Sequence, residues 1–306
     1  MNTTEVDLPK GWFNLIESDI YAKLAKLSYI CVALLGIPGN AITVYLLSFH
    51  GKLRNEIGSI GDFMLSLSLV DIVTCSLLIP MHLFREEVTP YLNYPFLCHM
   101  FFSTYVFWGF ASTSGYHLTL IAVDRYFAIC KPLFHRQYWR KYSMVFIMLA
   151  FFVGFGPCFW WLPYCYRIQD GFCVYYATFF DRWRHYIAYN QLFGDLVIPT
   201  ATMSYIYSLI YIKLHKQAKK GGKNAAKGAR ALVRTAIVTG FTYILCVAPG
   251  KIMWYFHCTE IKEIDHTDWP TYATHVMTAL NSCCNPIIYA CSIEAFKKRA
   301  LDISKC

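Results

Sequence analysis

Apolar residues gather into seven long runs, near 27–49, 57–84, 99–123, 143–164, 188–212, 232–256 and 271–291, with short polar stretches between them. A hydrocarbon core of roughly 30 Å takes about 20 apolar residues per crossing. Each run therefore predicts a membrane-spanning α-helix, and the chain predicts an all-α fold, a seven-transmembrane helix bundle forming one domain over 1–306. Outside the runs lie a leading segment over 1–26, a lysine-, alanine- and glycine-rich third cytoplasmic loop over 213–231, and a tail over 292–306. The tail opens Ile293-Glu294-Ala295-Phe296-Lys297-Lys298-Arg299. Basic residues beside apolar ones predict a short amphipathic helix lying on the membrane surface.

Composition excludes a soluble domain: 56% of residues are hydrophobic and 15% charged, against about 25% charged in an average globular chain. Lysine and arginine in short loops stay on the cytoplasmic side. One set of loops carries Lys52, Arg54, Lys131, Arg136, Arg140, Lys141, the cluster from Lys213 to Arg234, and Lys297 to Arg299. The other set is richer in acid, with Glu86, Glu87, Asp170, Asp181, Glu260, Glu263, Asp265 and Asp268. The N-terminus is thus expected outside the plasma membrane and the C-terminus inside. The net charge of +9 faces anionic membrane lipid and cytoplasmic partners, and implies no nucleic acid. The leading segment has no apolar core of the kind a cleaved signal peptide carries. Asn2-Thr3-Thr4 is an acceptor pattern for N-glycosylation, and Cys306, beyond the amphipathic stretch, is placed for palmitoylation.

Polar side chains inside the runs carry the chemistry, because ionisable groups in hydrocarbon are costly and mark function. Asp71 lies in the second run, Ser114 in the third, Asp195 in the fifth, Lys251 in the sixth, and Asn281 and Asn285 in the seventh. Nothing matches an enzyme's constellation: there is no His-Glu-x-x-His, no Cys-x-x-Cys and no phosphate-cradling glycine loop. Vicinal Cys283-Cys284 sits within an apolar run. Most of the thirteen cysteines do likewise, where a thiol is a small hydrophobe. A transporter is disfavoured because no repeated halves are visible.

Two motifs stand at the ends of the third and seventh runs: Asp124-Arg125-Tyr126 and Asn285-Pro286-Ile287-Ile288-Tyr289. With Gly39-Asn40 in the first run, Asp71 in the second, Pro199 in the fifth and Pro249 in the sixth, the chain resembles the rhodopsin-like, or class A, G-protein-coupled receptors. The resemblance implies that Asp124, Arg125 and Tyr126, with Tyr207, Pro249, Asn285, Pro286 and Tyr289, form the switch toward a heterotrimeric G protein. Pro132 and Leu133 would meet its α subunit, and arrestin is a second cytoplasmic partner. It also implies that Asp71, Ser114, Asn281 and Asn285 hold a sodium ion as allosteric modulator, or failing that a water-filled polar cluster, and that Cys98 and Cys173 form an outer disulfide. No retinal Schiff base is expected, since Ala279 stands at the lysine position of opsins.

Departures from the family pattern carry information too. Val247 replaces the usual tryptophan of the sixth helix, Tyr243 a common phenylalanine, and Phe152 the customary tryptophan of the fourth. The acid that often locks the arginine from the base of the sixth helix is missing from Lys227-Gly228-Ala229-Arg230. These changes imply a looser resting state with basal activity. They also keep open an opsin-related or orphan seven-helix receptor with constitutive signalling, or with none, as a decoy or partner subunit. Phe107 and Trp108 stand where amine receptors place a carboxylate. The ligand pocket is expected around Phe107, Trp108, Ala111, Asp195 and Lys251, with Tyr255, Tyr272, His275 and His82 nearer its mouth. The acidic outer loops favour a peptide or basic ligand.

Overall fold

The computed structural model describes residues 20–49, 58–79, 105–159, 166–169, 172–175, 177–219, 225–261, 269–292 and 296–298. Among them are seven long helices. These are α1 (Ile20–Phe49), α2 (Ile60–Leu78), α3 (Tyr105–Cys130), α4 (Ser143–Phe159), α5, α6 (Ala225–Cys258) and α7 (Trp269–Ser292). The fifth is composite: Ala177–Tyr189 continues through a π-helical stretch, Asn190–Val197, into Ile198–Lys219. Packing runs round the bundle, α1 against α2 and α7, α2 against α3, α3 against α4, α5 and α6, and α6 against α7.

The bundle is built inside out relative to a soluble protein. Leu34, Leu35, Met148, Phe152 and Tyr205 point outward, while Asn40, Asp71, Asp124 and Asp195 are buried between helices. Lipid solvates the outward leucines, so burial selects for polar groups that partner one another across helices. By length and apolarity alone, α1 from Lys23, α2, and α6 from Val233 suffice to cross a membrane, with mean hydropathies of 2.0, 1.6 and 1.5.

Three boundaries differ from the apolar runs. The fifth helix starts at Ala177 rather than near 188, because Asp181, Arg182, Arg184 and His185 erase the apolar signal without disturbing the helix. The loop expected over 213–231 is largely helix: α5 runs to Lys219 and α6 begins at Ala225. Lysine and alanine are good helix formers, so the two helices extend beyond the bilayer where hydropathy falls. The outer loop after α4 adds a two-stranded antiparallel ribbon, β1 (Tyr166–Gln169) on β2 (Phe172–Tyr175), which pairs Ile168 with Cys173. Asn2, His82, Cys98 and Cys306 lie outside the described residues.

Candidate functional site

Near the C-terminal end of α3, Asp124 is fully buried and Arg125 nearly so. The Arg125 guanidinium forks onto Asp124 Oδ2, with Nε at 3.0 Å and a second, short contact from Nη2. The other carboxylate oxygen is occupied as well. Asp124 Oδ1 accepts from Ser59 Oγ at 2.6 Å and from Trp139 Nε1 at 3.0 Å, and His135 Nε2 lies 2.9 Å away. Ser59 sits just before α2, and the other two partners lie on the inner loop after α3. That loop leaves α3 through a helical turn at Pro132–Phe134, where proline suits the first helical position. His135 and Trp139 follow one turn apart, which places both over the carboxylate. Trp139 also stacks on Phe146 of α4, ring centroids 4.2 Å apart. Tyr126 lies against Phe127, and Leu133 on the outer face of the turn is 73% exposed.

Two tyrosines of the expected switch make other contacts in this structure. Tyr207 donates to the Ala236 carbonyl at 2.9 Å, tying α5 to α6, and Tyr289 is buried against Phe296. Pro249 and Pro286 both lie inside their helices, where each leaves one backbone carbonyl without its helical donor.

Half-way through the bundle, Asp71 is fully buried. Asn285 Nδ2 donates to Asp71 Oδ2 at 2.8 Å, and Asn281 Nδ2 reaches Ser114 Oγ at 3.4 Å. Asn40 spans α1 and α7, donating to the carbonyls of Gly36 at 3.0 Å and Ser282 at 2.8 Å. Asp71 Oδ1, Asn281 Oδ1 and Ser68 Oγ are buried without a close hydrogen-bond partner among the described residues, with the Ser114 and Ser282 hydroxyls beside the Asp71 carboxylate. Asp71, Ser114, Asn281 and Asn285 thus form one buried polar cluster.

Toward the outside, a narrow cleft is lined by Trp108, Ala111, Ser112, Tyr243, Val247, Lys251 and the α7 residues Thr278, Asn281 and Ser282. Lys251 Nζ lies 2.8 Å from Asp195 Oδ2, 3.3 Å from Gln191 Oε1 and 5.1 Å from the centre of the Trp108 ring. Ser112 Oγ donates to the same Asp195 oxygen at 2.9 Å, and the Tyr243 hydroxyl donates to the Asp195 main-chain carbonyl at 2.5 Å. That carbonyl lacks its α-helical donor because the residue four positions on is Pro199, which has no N–H. Of the remaining expected pocket residues, His275 meets the edge of Trp108 at 6.0 Å. Phe107 turns into the apolar cluster with Cys75, Leu78 and Ala279, and Tyr272 packs against the same cluster. Tyr255 lies on Tyr189 of α5. These three line the bundle around the cleft rather than the cleft itself.

A buried arginine–aspartate pair, an asparagine-proline turn beside a buried aspartate, and a charged outer cleft thus occur in one bundle. Residues 39–289 match the family described as 7 transmembrane receptor (rhodopsin family). The chain belongs to that family of receptors. It is similar to trace amine-associated receptor 5 of Homo sapiens, 25% identical over 284 residues covering 86% of this chain and 79% of the relative. Trace amine-associated receptor 1 of Macaca mulatta is 24% identical over 321 aligned residues, 94% of this chain and 88% of the relative. Adenosine receptor A2a of Canis lupus familiaris is 26% identical over 297 residues, 88% and 69%. The protein is therefore a G-protein-coupled receptor and not an enzyme. Within the receptor, sequence reasoning missed Ser59, His135 and Trp139 around Asp124, and Ser112 and Gln191 around Asp195. A spacing of one turn between His135 and Trp139, just past the arginine motif, was the available signal.

Proposed function

We propose that the receptor sits in the plasma membrane with its N-terminus outside, takes an extracellular ligand through the cleft bounded by α3, α5, α6 and α7, and passes the signal to a heterotrimeric G protein at Arg125. The observation that carries this reading is the vertical order of the three polar sites within one bundle, from Lys251–Asp195 through Asp71 to Arg125. Leu133, exposed on the turn after α3, supports a docking face for the G-protein α subunit, and arrestin would share it. The acidic outer loops favour a basic ligand or peptide at the mouth.

Asp71, Ser114, Asn281 and Asn285 would hold a sodium ion. The support is chemical: the orphaned oxygens of Asp71, Asn281 and Ser68 are hard ligands of the type a sodium ion takes, buried where an uncompensated carboxylate is costly. Cys173, on β2 over the outer face, would pair with Cys98, and Asn2 and Cys306 remain the proposed glycosylation and palmitoylation positions.

A second reading is favoured by Val247 in the cleft: without the usual tryptophan, the receptor would be a decoy or partner subunit. Cells expressing graded amounts of receptor with each Gα class separate the two. A second-messenger signal that rises with surface receptor for at least one class supports the signalling reading. Flat signals for every class, at verified surface expression, support the decoy.

A further inference from the structure

The charged floor of the cleft is already complete. Asp195 and Lys251 are both almost fully buried, with side-chain exposures of 4% and 6%. A primary ammonium has three hydrogens to place and no acceptor of its own. Around Lys251 Nζ stand a carboxylate oxygen, the Gln191 amide oxygen and the electron-rich face of Trp108, which together are a cage for such a cation. The carboxylate is oriented from behind by Ser112, and its main chain by Tyr243. This is the architecture of a site for an organic amine, contributed by α3, α5 and α6, except that the amine is carried on α6 itself.

We propose that Lys251 is a tethered occupant of an ammonium site built around Asp195, so that the wild-type receptor excludes free monocationic amines from this site and removal of the lysine side chain opens it to them. The inference rests on the reading of the cleft as the ligand pocket. A free amine entering the wild-type site must expel Lys251, leaving one buried cation without its carboxylate, and that stranded charge is the large cost in breaking a buried pair. The similarity to trace amine-associated receptors therefore does not extend to a free amine held at Asp195.

Truncation of Lys251 to alanine removes the four atoms Cγ, Cδ, Cε and Nζ, which together are n-propylammonium. The test is chemical rescue of purified full-length receptor, read as melting temperature against concentration of n-propylamine hydrochloride, with n-propanol as the uncharged match and sodium chloride held constant. Lys251→Ala is expected to melt lower than wild type and to regain stability saturably with propylammonium but not with propanol. Its apparent affinity should be at least about tenfold higher than that of wild type or of Asp195→Asn/Lys251→Ala. Equal responses of all three proteins, or a folded Lys251→Ala that propylammonium leaves unchanged, would overturn the proposal. If Lys251→Ala does not survive purification, surface expression is read instead. Its recovery with n-propylamine in the medium supports the proposal, and its absence at every concentration while the double variant expresses overturns it. Rescue of melting without any change in G-protein signalling would count against the cleft as the signalling pocket and leave the ammonium site standing.

Discussion

Asp195 joins α5 to α6 at two heights, through its side chain to Lys251 and through its carbonyl to the Tyr243 hydroxyl. Tyr243 reaches that carbonyl because Gly115 of α3 leaves room: a Cβ there would collide with the tyrosine ring. The hydroxyl that distinguishes Tyr243 from the family's phenylalanine thus ties α6 to α5 at Asp195. One such hydrogen bond contributes about 0.5–1.5 kcal/mol. Tyr243→Phe should therefore raise agonist-free nucleotide exchange by about two- to tenfold if the bond is made only in the resting state; an unchanged basal rate would remove it from the switch. The orphaned oxygens around Asp71 support a second test at this scale. With choline chloride as the ionic-strength control, sodium should stabilise the wild-type receptor against heat, by about 1.4 kcal/mol at a concentration about ten times its Kd. Asp71→Asn should lose most of that gain. Equal sodium dependence in both proteins would mean that the ion, if bound, is not held at Asp71.

Among the helices, α4 lies close on α3 at Gly154. Gly154 lies against the Thr113 backbone, so that an added Cβ would come within 2.8 Å of its nitrogen and 2.9 Å of its Cα. Backbone cannot move aside as a flexible side chain does. Gly154→Ala should lower stability by about 1–3 kcal/mol, the range for overpacking. Gly156→Ala, two residues on and with no atom within 4 Å of the added methyl, should stay within about 0.5 kcal/mol. Thermal melting of the two variants side by side checks the packing, and equal losses would contradict it. The helices themselves were legible because twenty-residue apolar runs have few alternatives. Their ends were not: Arg182, Arg184 and His185 hide the outer turns of α5, and Lys213 to Lys219 hide its inner ones, since hydropathy reports lipid contact and not helix. Asp71, Arg125, Asp195 and Lys251 stood out for a related reason, the cost of charge in hydrocarbon. Ser59, His135 and Trp139 did not stand out. They are ordinary polar and aromatic residues at a membrane edge, and the turn at Pro132 brings His135 and Trp139 back to Asp124 while Ser59 reaches it from the start of α2.

Across the whole molecule, the contacts that hold α6 and Arg125 are separate among the described residues. Tyr243 and Lys251 hold α6 to α5 in the outer half, Tyr207 holds it to α5 further in through the Ala236 carbonyl, and Asp124 holds Arg125 at the inner end with help from the loop. Arg125 is proposed as the group the G protein finally meets. The most direct measurement is GTPγS binding by purified G protein with the purified receptor in lipid nanodiscs, wild type against Arg125→Met. Methionine keeps the apolar stem but not the guanidinium. The account predicts receptor-dependent exchange without agonist for the wild type, raised further by Tyr243→Phe and abolished by Arg125→Met in a receptor that still folds, although it melts lower because Asp124 loses its buried cationic partner. Exchange by Arg125→Met equal to wild type, or exchange by every folded form no faster than with empty nanodiscs, would contradict it.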